Sequence, residues 1–137
     1  PVEGRIAGAL FSVPGVRGVE FGDGFGAARM LGSGHNDPIL DKNGRTSRNG
    51  AGGANGGITN GNELVIRIAV KPASSIRLPQ RTLDFTTGEM TDLSVPGRHD
   101  ACIALRAAVV LEAACAVCLA DFNLLARTYD AASDIEG

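Results

Sequence analysis

Residues 49–61, NGAGGANGGITNG, hold six glycines in thirteen positions and run into the β-patterned segment ELVIRIAV at 63–70. Glycine admits φ > 0 and leaves no side chain between the backbone and whatever approaches it. Its N–H groups in such turns form concavities that suit an anion or the face of a flat cofactor. A stretch of this kind is therefore either a ligand cradle or a flexible surface loop. No Gly-Lys-Ser/Thr closes it, so it is not a P-loop.

At 137 residues the chain has the length of one domain, and 44% hydrophobic content supports a real core. Aromatics make up 4% with no Trp, and the net charge is −2. That combination excludes base-stacking platforms and a general nucleic-acid binder. Three cysteines without a disulfide-like spacing, and no signal peptide, point to the reducing cytoplasm. The apolar run near the C-terminus is interrupted by Glu112 and Asp121, so no membrane span is predicted. The chain begins inside an element, at Pro1 with no Met, which reads as part of a longer protein.

In chain order, Ile6, Ala9, Leu10 and Val13 share one face of a helix over 3–12, stopped at Pro14-Gly15. Residues 16–21 alternate as a strand, with Val16, Gly18 and Glu20 opposite Arg17, Val19 and Phe21. A turn at 22–24 leads to a short helix over 25–31, whose Phe25 and Met30 can face inward. Residues 30–61 lack periodicity and are read as a flexible or ligand-site loop, with Asp37-Pro38 as a turn signal. Segment 63–70 is the clearest strand, with Leu64, Ile66 and Ile68 on one side. Segments 82–85 and 91–95 flank Thr87-Gly88-Glu89 as a hairpin. A long helix over 100–129, capped by Asp100, has no clean solvent face and is predicted to be buried on more than one side. The tail 130–137 is polar and expected to fray.

Two segments carry candidate chemistry. Gly97-Arg98-His99-Asp100 places a guanidinium, an imidazole and a carboxylate at the mouth of the long helix, where anions are favoured. Asp100 is there either a helix cap or a general base. Lys71-Pro72-Ala73-Ser74-Ser75, at the end of the best strand, suits a phosphate or a ring carbonyl, or is a solvated bend. Cys115 and Cys118 form a CxxC inside an apolar helix with no further ligand pair, so no metal site is predicted and both read as small apolar residues.

Taken together, AGGANGGITNG, IRIAVKPASSI, GRHD and RAAVVLEAACAVCLADFNLL, preceded by GVRGVEFGDGF, resemble chorismate synthase in order and spacing over most of residues 3–128. The resemblance covers only the C-terminal part of that family's chain. It implies an α/β (α+β) fold, the C-terminal part of a β-α-β sandwich, with the long buried helix against antiparallel sheet. It also implies a homotetramer, and elimination of phosphate from 5-enolpyruvylshikimate 3-phosphate to give chorismate in aromatic amino-acid biosynthesis. The family needs reduced FMN, with NADPH as a reductant in some members.

By position, Gly56, Lys71, Pro72, Ala73, Ser74, Ser75 and Arg98 correspond to family FMN contacts, and Pro14-Gly15 to a further flavin-contacting pair. Arg98 also corresponds to a substrate-phosphate ligand, and Asp100 to the residue proposed to act in proton abstraction. This chain departs from the family pattern at Ala101, at Val109 and at Ala73, where the family usually has Pro, Pro and Thr. The family's general-acid histidines lie in the absent N-terminal part, so the 137 residues alone are expected to be inactive. The alternative is a non-catalytic flavin-binding or assembly fragment.

Overall fold

A computed structural model describes residues 1–98 and 101–133. The chain folds as mixed helix and antiparallel sheet around one apolar cluster. Helix α1 (Val2–Phe11) buries Val2, Ile6 and Leu10, one residue per turn on a single stripe. Ile6 and Leu10 are fully shielded from solvent. Strand β1 (Val16–Phe21) follows after the turn at Pro14-Gly15 and pairs antiparallel with the much later β4 (Ile66–Val70).

The register of that ladder departs from strict alternation. Val16 pairs with Val70 and Gly18 with Ala69, so Arg17 is the extra residue of a bulge. The bulge moves Val16 onto the side of Val19 and Phe21, and all three join the core cluster. The sequence alone places Val16 opposite Val19 and Phe21, because alternation holds only while the pairing is unbroken. Ile66 and Ile68 of β4 share the core side with Leu64 just before it, as predicted, and Val70 continues the row. Glu20 and Arg67 pair on the other side, 3.3 Å apart. Regular pairing starts at Ile66, because the backbone just before it is engaged elsewhere. Val65 N–H donates to Gly52 O at 3.1 Å, and its carbonyl accepts from Gly22 N–H at 3.0 Å.

After β1 comes a 3-10 helix (Gly24–Arg29), then a single helical turn, α2 (Gly32–His35). Phe25, expected inside, is 75% exposed, and Met30 is also exposed. The six-residue 3-10 segment has no buried position, so nothing draws either side chain inward. The glycine-rich stretch closes as a short hairpin, β2 (Ala54–Asn55) with β3 (Ile58–Thr59). Its two central residues, Gly56 and Gly57, have φ of 59° and 88°. A two-residue turn of this twist requires positive φ at both positions.

The second hairpin pairs β5 (Gln80–Leu83) with β6 (Met90–Leu93) and turns at Gly88. It is displaced about two residues towards the N-terminus of each predicted arm. Its root is fastened by Ser94, whose hydroxyl donates to Arg77 O at 2.7 Å, and by Val95 N–H to Ile76 O at 3.4 Å.

Helix α3 (Ala104–Ser133) spans thirty residues. The first carbonyl to accept an i+4 bond is that of Ile103, from Ala107 N–H at 3.0 Å. The helix thus starts at Ala104, four residues beyond the position predicted for its cap. Asp100 itself, like His99 and the tail residues 134–137, lies outside the described residues.

One stripe of α3 packs inward: Ala107 and Leu111 are buried, with Ala114, Cys115, Cys118 and Phe122 half-buried along the same cluster. Asp121 pairs with Arg5 of α1 at 2.5 Å, and that guanidinium sits 5.5 Å from the Phe122 ring centroid. Away from this stripe Val109, Val117 and Leu124 are exposed. The fold class matches the expectation, but this chain covers only one of the two sides predicted to be buried. Residues 104–129 have the length and mean hydropathy (1.9) of a membrane-crossing helix, by length and composition only. Only 6% of that stretch is buried in this chain, so the stripe against α1 and the sheet covers a small part of it.

Candidate functional site

Antiparallel pairing of β1 with β4 brings the start of one strand to the end of the other. Pro14-Gly15 therefore meets Lys71, whose N–H donates to Gly15 O at 2.7 Å. Gly15 has φ of 98°, and a Cβ there would touch Val70 and Ile103 at 3.6 and 3.8 Å. The ladder end and the approach to α3 are thus in contact at this glycine. Chain continuing from Lys71 runs through Pro72, Ala73, Ser74 and Ser75 and then leaves as the β5–β6 hairpin. The bonds at the hairpin root return the chain beside its own departure point.

As a result, two segments twenty residues apart line one cavity of about 480 Å³. Its walls are Pro72, Ala73, Ser75, Ile76 and Arg77 from the outgoing leg, and Gly97, Arg98 and Ala101 from the returning one. The volume lies within the ordinary range for small-molecule sites, roughly 300–1,000 Å³. No carboxylate lines it among the described residues. Two guanidiniums, a serine and a glycine backbone suit a phosphorylated ligand. The residues present therefore fit a phosphate-bearing cofactor or substrate.

Gly56 lies elsewhere. It occupies the tip of the β2–β3 hairpin, open on all sides to an added Cβ. Its neighbour Gly57 accepts from Val2 N–H at 2.9 Å and lines a separate cavity with Leu119, Phe122 and Asn123 of α3. Ile103, by contrast, stands against Gly15. The rise from Ile103 to Leu119–Asn123 is about 24–30 Å at 1.5 Å per residue. Within one copy of the chain, Gly56 thus lies beside the middle of α3, well away from Lys71 and Arg98. Asp100 follows Arg98 in the chain, outside the described residues.

The other glycines of the stretch serve the chain's own backbone. A Cβ on Gly22 would overlap Gly50 O, one on Gly52 would overlap Gly22 N, and one on Gly53 would overlap Glu63 O. The loop is held from the side by Asp37, which accepts from Gly50 N–H at 2.9 Å and Ala51 N–H at 2.8 Å. Burial alone would raise the Asp37 pKa. The N–H groups of Ala51 and Gly50 outweigh it, helped by Arg48 and His35, and hold the carboxyl below its ordinary value. Arg48 in turn bridges Asp23 and the carbonyl of Gly34. Sequence reasoning took Asp37 for a turn signal and missed this anchoring role.

It also passed over Arg77. The available signal was position: Ala73, Ser75 and Arg77 alternate along one segment, as side chains on one face of an extended chain do. Cys115 and Cys118 are free thiols at the core margin. Burial, with Cys118 adjacent, pushes the Cys115 thiol pKa up, which suits an apolar packing role rather than a nucleophile.

Residues 1–124 match the profile of the family described as chorismate synthase. The chain is 60% identical over 124 residues to the chorismate synthase of Chitinophaga pinensis, covering 90% of this chain and 37% of that protein. It is 51% identical over 122 residues to the enzyme of Korarchaeum cryptofilum, covering 88% and 34%. Identity to that of Archaeoglobus fulgidus is 49% over 131 residues, covering 91% and 36%. A solved structure titled as the crystal structure of chorismate synthase superposes with a TM-score of 0.51 at 44% identity, over 54% of this chain and 23% of that one. The chain thus spans little more than a third of the length of the relatives it matches. With nine-tenths of its residues inside that likeness, this chain belongs to the chorismate synthase family.

Proposed function

We propose that these residues form the flavin- and phosphate-binding end of a chorismate synthase. The reaction is 1,4-elimination of phosphate from 5-enolpyruvylshikimate 3-phosphate to give chorismate, in the cytoplasm, within the shikimate pathway. The observation that carries this reading is the single cavity shared by the 72–77 leg and Gly97-Arg98, in a chain of this family. Reduced FMN, with NADPH as a reductant, would be held by Arg98 and the 72–75 segment, and would supply the electron density that eases departure of the phosphate.

The chain's own part is to bind and orient. Arg98 neutralises anionic groups from the cavity wall and Lys71 does so from beside it. Ser75 offers a hydroxyl donor in the wall and Ser74 one next to it. Pro72 and Ala73 form the close backbone wall, with Pro14-Gly15 joined to the neighbouring Lys71. Arg98 is assigned to both flavin and substrate phosphate, and Asp100 to accepting the ring proton. Gly56 contributes to a flavin site only if a second copy of the chain brings its hairpin tip to this cavity, which accords with a homotetramer. The general acids are assigned to the further length that relatives carry, so the 137 residues alone are expected to bind flavin without turning over. That binding-only behaviour is also what the non-catalytic alternative describes, and the uncovered side of α3 favours an assembly role alongside it.

The test is a titration with reduced FMN, together with phosphate release by the intact enzyme. The isolated 137 residues should release none. Asp100→Asn in the intact enzyme should slow turnover about 10²-fold or more with flavin affinity retained. A variant that melts earlier yet turns over normally per folded molecule would make Asp100 a structural residue and remove its assigned role.

A further inference from the structure

We propose that Arg77 grips phosphate: with Arg98 it forms a two-guanidinium clamp on the dianionic head of a phosphomonoester. The inference rests on reading the cavity as the ligand site. Three observations carry it.

Arg77 and Arg98 line the same cavity from opposite legs of the hairpin. The Ser94–Arg77 and Val95–Ile76 bonds at its root hold the two legs together, at Arg77 itself and three residues before Arg98. A clamp of two long side chains needs such a fixed base, because immobilising each side chain costs conformational entropy.

Five arginines of the molecule are neutralised within the fold. Arg5, Arg45, Arg48, Arg67 and Arg81 each face a carboxylate. Neither Arg77 nor Arg98 faces a carboxylate among the described residues, and nor do Arg17 and Arg29; what marks the pair is that both line one cavity. Like charges gathered in one cavity repel, and a bound dianion removes that cost.

The third observation is the chemistry of the walls. One guanidinium fork satisfies a carboxylate. Two forks, with Ser75 beside them, match the three terminal oxygens of a phosphomonoester. The head group can come from the flavin mononucleotide or from the phosphorylated ring substrate, and the chemistry is the same.

The experiment compares wild type, Arg77→Ala and Arg77→Lys in the intact enzyme. It measures affinity for reduced FMN, reduced riboflavin and inorganic phosphate, and KM for the phosphorylated substrate. Arg77 is exposed, so folding is checked by an unchanged melting temperature. Arg77→Ala should weaken a phosphomonoester tenfold or more, flatten its salt dependence and leave riboflavin alone, with Arg77→Lys recovering only part.

Loss confined to FMN assigns the clamp to the flavin phosphate, and loss confined to KM assigns it to the substrate. If wild type binds neither flavin, yet inorganic phosphate still depends on Arg77, the flavin reading falls and the clamp stands. Equal losses for FMN and riboflavin, unchanged binding of every phosphorylated probe, or no binding of any probe by wild type overturns the clamp.

Discussion

Asp37 gives one carboxylate oxygen to Gly50 N–H and the other to Ala51 N–H, so one side chain satisfies two donors of a glycine loop. Hydrogen bonds to a charged acceptor contribute about 1.5–3 kcal/mol each way they are measured. Asp37→Ala should therefore lower stability by about 1–3 kcal/mol, read from denaturant midpoints. The pH dependence follows from the depressed pKa. A carboxyl held below 3.8 contributes fully above that ordinary value and loses its contribution as pH falls through the folded-state pKa. Amide exchange at Gly50 and Ala51, taken relative to the intrinsic rate at each pH, should accelerate below about pH 4 in wild type. In Asp37→Asn it should be fast already at neutral pH, and a shared acid profile would remove the anchor.

At this scale the sequence was legible for residue type and silent on partner. Glycines at 52 and 53 announced close backbone approach. The approaching group turned out to be Gly22 and Glu63 of the same chain, a pairing across thirty and ten residues that no local pattern encodes.

Among the elements, α1 carries the densest burial. Ile6 and Leu10 stand between β1 and α3 with no solvent access. Ile6→Ala should cost about 2–5 kcal/mol and Ile6→Val about 0.5–1.5 kcal/mol, measured by chemical denaturation. A loss below 0.5 kcal/mol for Ile6→Ala would mean that the cluster repacks freely. Periodicity revealed α1, β1 and β4, while a long Ala/Leu/Val-rich run without a clean solvent face revealed α3. It misled at Val16, since a bulge is a property of two paired strands and β1 cannot announce it alone. It misled again at the start of α3. Asp100 is a good capping residue, yet the chain from 101 to Ile103 is occupied in the cavity wall and in contact with Gly15 before helical bonding begins.

On the scale of the whole molecule, the helix that organises the fold is covered on one side only. Val109 and Val117 are 73% and 70% exposed, on a helix apolar enough to be taken for a membrane span. Contiguous apolar surface of this kind marks an interaction site. Under the reading above, it is covered in the assembled enzyme. Val109→Asp with Val117→Asp should leave the α1–α3 packing and the helical signal intact while lowering the mass of the assembled species in light scattering. Unchanged mass would place assembly elsewhere. The sequence forecast a helix without a solvent face, and that was legible because charged positions are interleaved with valines. What lies against the second side is not written in these residues.

The fastening at Arg77–Ser94 and Ile76–Val95 separates the tip of the β5–β6 hairpin from its root. Thr86, Thr87 and Gly88 turn in open solvent, while the root holds the cavity walls in place. Extra residues or a fluorescent reporter inserted at the tip would therefore ride on a handle insulated from the ligand. The tip is a lever long enough to watch the cavity without reaching into it.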